Sequence, residues 1–235
     1  MTAPWQAAWF GTAAPARREL WRGVEAQHQV ATLRLVDDLD EQLLLEQALE
    51  ASKPPLPPEG TRLHYLLFTP FRYRSPWPSR FRRPDHAGAW YGAEDTATVA
   101  AEVAHWRRRF FLDSHGLRDG ELVTEHTFFL ARFDGVELDL TQPPWAARRD
   151  LWRHPHDYGS CHELAATLRR EHPQVGAIRY ESARRKGGLC GVVFQPEALR
   201  LPAPHRQETW VCKTTARRVL LMHGRDLLQF DHEAP

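Results

Sequence analysis

The sequence predicts a mixed α+β domain, and three observations carry that expectation. A chain of 235 residues with 42% hydrophobic residues is long enough to bury one sizeable core. Short apolar, β-branched runs bounded by turn residues recur in the second half, at 125–133, 175–181 and 189–194. Helical patterns fall among them, but clean βαβ alternations are too few for a doubly wound parallel sheet.

Composition excludes several classes of function. The 31 Lys and Arg against 30 Asp and Glu leave a net charge of +1, so no global field recruits nucleic acid or an anionic membrane. No run of about 18 apolar residues exists to cross a bilayer. Met1-Thr2-Ala3-Pro4-Trp5 lacks the basic-then-apolar order of a secretory signal. Three cysteines, Cys161, Cys190 and Cys212, are odd in number and lack CxxC spacing, which points to a reducing cytoplasm.

Element by element, residues 36 to 52 carry six acids and no base, with Val36, Leu39, Leu43, Leu44 and Ala48 at helical spacing. This reads as an acidic amphipathic helix whose leucines pack on the core, or one that folds over a functional cleft as a brake. Four prolines in the five positions 54–58 end it. That stretch is the expected boundary between an N-terminal helical extension, 1–55, and a catalytic domain, 56–235. Leu63 to Phe68 reads as a strand, followed by the aromatic and basic loop Phe71 to Pro84. Trp90 to Ala93 reads as a short strand, and Asp95 or Thr96 caps a helix through Arg109. Glu125 to Phe133 is a strand. Ser160-Cys161-His162-Glu163 has capping-box form and opens a helix to about Arg170. Val175 to Glu181 and Leu189 to Phe194 are strands around the basic loop Ser182 to Gly188. Thr209 to Lys213, Val219 to Met222 and Leu227 to Phe230 complete the set.

The chemistry is concentrated locally. Between Arg72 and Asp85, five arginines and one acid give +4, interleaved with Phe71, Tyr73, Trp77 and Phe81. Arg179, Arg184, Arg185 and Lys186 form a second basic cluster. Arginine forks suit phosphates and aromatic faces suit bases or nicotinamide, so two converging segments fit a ligand with both; single-stranded nucleic acid fits as well. The alternative is a solvated, salt-bridged surface. Glu102 stands on a small, apolar helical stretch, where a carboxylate must reach solvent or find a partner. Ser182 ends a strand against the basic loop. His154, His156, Cys161 and His162 lack the spacing of a structural zinc site, and no metal is expected. GxGxxG, GxxxxGK[ST], GxSxG and HExxH patterns do not occur.

Ser79-Arg80-Phe81, Trp90-Tyr91-Gly92-Ala93, Thr96-Ala97 leading to Glu102, and Tyr180-Glu181-Ser182-Ala183-Arg184 followed by Gly188 to Phe194 together resemble the RES domain family, named for Arg, Glu and Ser. The resemblance covers roughly residues 62 to 200, and Phe71-Arg72-Tyr73 looks like the family's early arginine. It implies an ADP-ribosyltransferase-like core of two small sheets clasping NAD as a substrate, with no further cofactor. It implies a cytoplasmic toxin of a toxin–antitoxin pair, neutralised by an Xre-like antitoxin that provides any link to nucleic acid. The implied activity is NAD phosphorolysis or hydrolysis, or ADP-ribose transfer to a protein, so inorganic phosphate or a protein is a possible acceptor. On this resemblance Glu102, Arg80 and Ser182 are catalytic, and Arg72, Arg80, Tyr91, Ser182 and Arg184 bind the dinucleotide. The competing readings are a non-catalytic nucleic-acid- or antitoxin-binding module on the same fold, and an enzyme acting on another nucleotide.

Overall fold

The computed structural model describes residues 4–26, 35–55, 63–117 and 120–231. A two-turn 3-10 helix at Ala7–Thr12 leads into strand β1, Ala14–Glu25. Helices α1, Leu39–Ser52, and α2, Tyr65–Arg72, precede strand β2, Trp90–Ala93, and the long helix α3, Thr96–Asp113. Strand β3, Glu121–Asp139, is followed by the short helix α4, Arg149–Trp152, and by α5, Gly159–Glu171. Strands β4, Val175–Glu181, β5, Leu189–Val193, β6, Leu199–Arg200, β7, Gln207–Thr215, β8, Arg218–His223, and β9, Asp226–Asp231, complete the order.

All of these strands join one hydrogen-bonded network, whereas two small sheets were expected. The reason is the length of β3. Its 19 residues pair antiparallel with β1 from Ala14↔Glu137 to Glu25↔His126 and with β7 from Glu121↔Thr215 to Phe129↔Gln207. Its far end runs parallel to β4, past a register shift at Val136/Glu137. β4 pairs β5, β5 pairs β2, and β2 returns to β1 through the single bridge Trp21↔Ala93. The path β1-β2-β5-β4-β3 therefore closes on itself, and β1 and β2 barely touch where it closes. β7, β8 and β9 extend the other edge of β3 as a meander.

The N-terminal segment is not a helical arm. β1 is a full member of the sheet, and Trp5 and Phe10 pack against Trp145, at centroid separations of 6.5 and 5.3 Å. The proline-rich boundary of residues 56–60 lies outside the described residues. Helix α1 matches the acidic reading and is capped by Asp38, whose side chain accepts the Glu41 N–H. Its leucines do not pack on the core: the helix buries none of its residues, and Leu39 is 76% exposed. Residues 65–72 are helical rather than extended, since His64 caps the turn through Nδ1 and Pro70 is tolerated near the end.

Helix α3 starts as the sequence indicates, with Asp95 accepting from Thr98 N at 2.7 Å. Its buried face, Val99, Ala100, Ala101, Ala104 and Phe111, lies on the sheet, and its small residues let the helix come close to it. α5 buries Cys161, Leu164, Ala165 and Leu168. The capping box at its start does not form: Tyr158 is the cap, and Asp157 instead accepts from Gly159 N. β2, β4, β5 and β7 to β9 fall where the sequence placed them.

Candidate active site

Three elements meet at the closure of the strand path. β1 and β2 form one wall, α3 lies across it, and the end of β4 brings in the loop Ser182 to Gly188. They enclose a cavity of about 410 Å³ whose lining includes Arg80, Tyr91, Glu102, Tyr180 and Cys190. Glu102 reaches this cavity because it lies about two turns beyond the Asp95 cap of α3, on the edge of the helix facing β2.

Glu102 is held by the loop. The Ser182 hydroxyl donates to its Oε1 at 2.6 Å, and the same Ser182 oxygen accepts from the backbone N–H of Arg184 at 3.0 Å and of Arg185 at 3.1 Å. Ser182 is fully buried, so its rotamer is fixed by these three bonds. Gly187, at φ +76°, and Gly188 turn the loop back against α3, where a side chain on Gly188 would strike Thr98 Oγ1 at 2.6 Å. Cys190 Sγ stands 4.0 Å from the same carboxylate oxygen, and burial above all, then the Glu102 charge, holds its thiol far above the ordinary range. The thiol therefore stays protonated beside the carboxylate.

Tyr91 is fixed by its hydroxyl, which accepts from Phe81 N at 3.0 Å and shares a 2.9 Å bond with Ser79 Oγ. Burial raises its pKa. Arg80 donates through Nη1 to the carbonyls of Trp152, at 2.9 Å, and His154, at 2.8 Å, and lies over the Tyr158 ring at 4.7 Å. It thus lines the cavity and also ties the segment after α4 to the β2 wall.

Two sequence candidates stand elsewhere. Arg72 is not in the cavity: at the end of α2 it donates to the Pro54 carbonyl at 2.6 Å and faces Glu50 at 3.4 Å. Its charge is used to hold α1 beside α2. Arg184 does not line the cavity; it donates to the Pro155 carbonyl at 2.6 Å and the Tyr158 hydroxyl at 3.2 Å. The two basic clusters converge only in part. Arg82 is buried on backbone carbonyls, Arg83 pairs with Glu163, Arg179 bridges Glu94 and Asp139, and Arg185 faces Asp95. Most of the local +4 is therefore structural. The His154–His162 group is likewise engaged: His154 Nδ1 accepts from Asp157 N, Cys161 is buried, and His162 Nε2 donates to the Ser79 carbonyl.

Sequence reasoning missed the wall made by β1 and the start of β3. Trp21, Arg22, Gly23 and Glu25 line the cavity with Trp106, Arg107 and His126. Arg22 donates to the Tyr91 carbonyl at 2.8 Å, and burial lowers its pKa to about 10. Arg107 pairs with Glu25 at 2.7 Å. His126 is 3% exposed and driven down to about 4, first by burial and then by Arg107, so it is neutral at physiological pH. The isolated Trp21-Arg22 pair in an arginine-rich segment was the available signal.

Among the described residues no helix is long and apolar enough to cross a membrane. No curated protein matches the chain. One solved structure, the M. tuberculosis MbcT–MbcA toxin–antitoxin complex, is similar over 87% of this chain and 87% of the matching one, at 15% identity and a TM-score of 0.46. The model of the RES domain matches residues 57–214, which contain Arg80, Tyr91, Glu102 and Ser182 and make up two-thirds of the sequence. With its Arg, Glu and Ser standing in or against one cavity, the chain belongs to the RES domain family.

Proposed function

We propose that this protein is a toxin-type enzyme that breaks the nicotinamide–ribose bond of NAD. The observation that carries the reading is the Glu102 carboxylate, positioned by the buried Ser182 hydroxyl at 2.6 Å in the wall of a cavity it shares with Arg80 and Tyr91. Loss of nicotinamide leaves a positively charged, oxocarbenium-like ribose, and a carboxylate held in place before the reaction stabilises that charge with little reorganisation. Departing nicotinamide is neutral and needs no strong acid, which suits a site whose nearby thiol and phenols keep their protons. Glu102 also serves to orient the attacking water, phosphate or side chain. Tyr91 shapes the pocket for the planar ring, and Arg80 supplies charge for an attacking inorganic phosphate.

The family membership supports the wider reading: an ADP-ribosyltransferase-like core, NAD as substrate with no further cofactor, action in the cytoplasm, and control by an Xre-like antitoxin. The decisive experiment is incubation of the purified protein with NAD, with and without inorganic phosphate, while free nicotinamide and the ribosyl product are followed. Release only with phosphate identifies phosphorolysis, and release in either case identifies hydrolysis. Labelling of a protein instead identifies ADP-ribose transfer, and the absence of all three overturns the reading.

A further inference from the structure

A second cavity, of about 430 Å³, adjoins the first and shares Tyr158 with it. It is lined by His105, Arg108, Arg109, Leu112 and Asp113 of α3 and by His156 and Tyr158. We propose that this groove holds the diphosphate of the dinucleotide whose nicotinamide–ribose end lies against Glu102. The inference rests on the NAD reading above and names a subsite for it.

Spacing is the first support. Glu102, His105 or Trp106, and Arg109 follow one another at helical intervals, so the groove continues the stripe of α3 on which Glu102 lies. Arg109 is seven residues beyond Glu102, about 10 Å along the helix axis. An extended dinucleotide with its scissile bond at Glu102 must leave the first cavity in some direction, and this one leads past Tyr158 into the neighbouring groove.

Charge is the second. Arg108 and Arg109 face Asp113 alone among the carboxylates of the lining, and the Arg109–Asp113 pair is loose, at 3.7 Å. Arg184 lines neither cavity but donates to the hydroxyl of Tyr158, which lines both, and to the Pro155 carbonyl, two neutral acceptors. The Nε of Arg108 is buried without a hydrogen-bond partner. A guanidinium with an unmade bond gains most from an oxyanion, since the forked N–H pair matches two phosphate oxygens. His105, driven to about 3 by burial and then by surrounding cations such as Arg184, brings no charge of its own and leaves the arginines to supply it.

The first cavity differs in where its carboxylates stand. Glu25 pairs with Arg107, Arg80 spends Nη1 on two carbonyls and Arg22 donates to the Tyr91 carbonyl, so although Arg22 Nε and Arg107 Nε and Nη2 also lack partners, a diphosphate there would lie beside Glu25 and Glu102.

The test compares wild type, the double variant R108Q/R109Q and R108K by calorimetric titration with NAD, ADP-ribose and nicotinamide riboside. All three proteins are first checked for equal melting temperature. In the double variant the Kd for NAD and ADP-ribose should rise at least tenfold, with a shallower salt dependence, while that for nicotinamide riboside stays unchanged. R108K should fall between the two. Unchanged NAD affinity, or equal weakening for all three ligands, overturns the subsite. If wild type binds neither NAD nor ADP-ribose, the NAD reading itself fails, and inorganic pyrophosphate decides the groove. Binding of pyrophosphate that is lost in the double variant keeps it as a diphosphate site, and absence of binding removes it.

Discussion

The hydroxyl of Ser182 donates to Glu102 at 2.6 Å across 80 residues of sequence, and its oxygen accepts two backbone N–H groups of its own loop. One side chain thus joins the turn after β4 to the centre of α3. Glu102→Gln keeps the shape and removes the charge that faces the developing ribosyl cation. It should lower NAD turnover at least ~100-fold, the scale seen when one preorganised electrostatic contact is lost. Nicotinamide release by the variant at near wild-type rate would take Glu102 out of the chemistry.

Ser182→Ala should act on both rate and stability. It frees Glu102 to rotate and leaves the N–H groups of Arg184 and Arg185 without their acceptor, at a cost of about 1–3 kcal/mol. In cells, wild-type expression should lower NAD and arrest growth, and the variant should do neither. Denaturant melts separate the two effects: a rate loss with no change in midpoint assigns Ser182 to positioning alone. Growth arrest at normal NAD would shift the reading toward modification of a protein.

Arg80→Ala and Arg80→Lys test a residue with two tasks. The guanidinium holds the carbonyls of Trp152 and His154 through one nitrogen and covers the Tyr158 ring, so alanine should destabilise the protein and weaken NAD binding. Lysine brings a point charge without the planar fork, and should recover part of the stability but not the affinity. Equal NAD affinities for the lysine variant and wild type would remove the forked contact from the model of binding.

How much of this was legible follows from where the information resides. Glu102, Tyr91 and Ser182 lie in segments whose local patterns hold in the structure: a capped helix, a four-residue strand and a strand-ending loop. Arg72 was misplaced because sequence distance puts it beside Arg80, while the fold gives its charge to Glu50 and the Pro54 carbonyl. The β1 wall was missed for a different reason. Ala14 to Glu25 has no clean alternation, and its strand state comes from twelve residues of pairing with β3, more than a hundred positions away along the chain. An exposed acidic helix next to it then suggested a helical arm for the whole segment.

His126 makes a pH prediction with a definite sign. Its pKa is lowered in the fold, from 6.5 to about 4, by burial and by Arg107. Between those values the unfolded chain binds the proton and the folded one does not, so stability should fall as pH drops from about 6.5 to 4. The full span is about 3 kcal/mol, and His105, lowered to about 3 mainly by burial, pulls in the same direction. Urea midpoints at pH 7, 5.5 and 4.5 measure it. His126→Gln should flatten the dependence, and an identical slope in the variant would assign the effect to other groups.

The N-terminal segment separates into two parts that should behave oppositely on removal. Deleting residues 1–26 takes away Trp5, Phe10 and all of β1, which pairs along most of β3 and supplies one wall of the cavity. The product should fail to fold. Replacing residues 37–53 with a Gly-Ser linker removes only α1, which buries none of its residues and contributes nothing to the lining of the cavity. Its losses are ion pairs of the solvent-exposed Glu50, with Arg72 and Lys53, which water and salt screen to little effect. The midpoint should move by little and NAD turnover should stay within about twofold. A helix acting as a brake would release several-fold higher turnover on replacement. One whose leucines served the core would instead cost several kcal/mol, against the 76% exposure of Leu39.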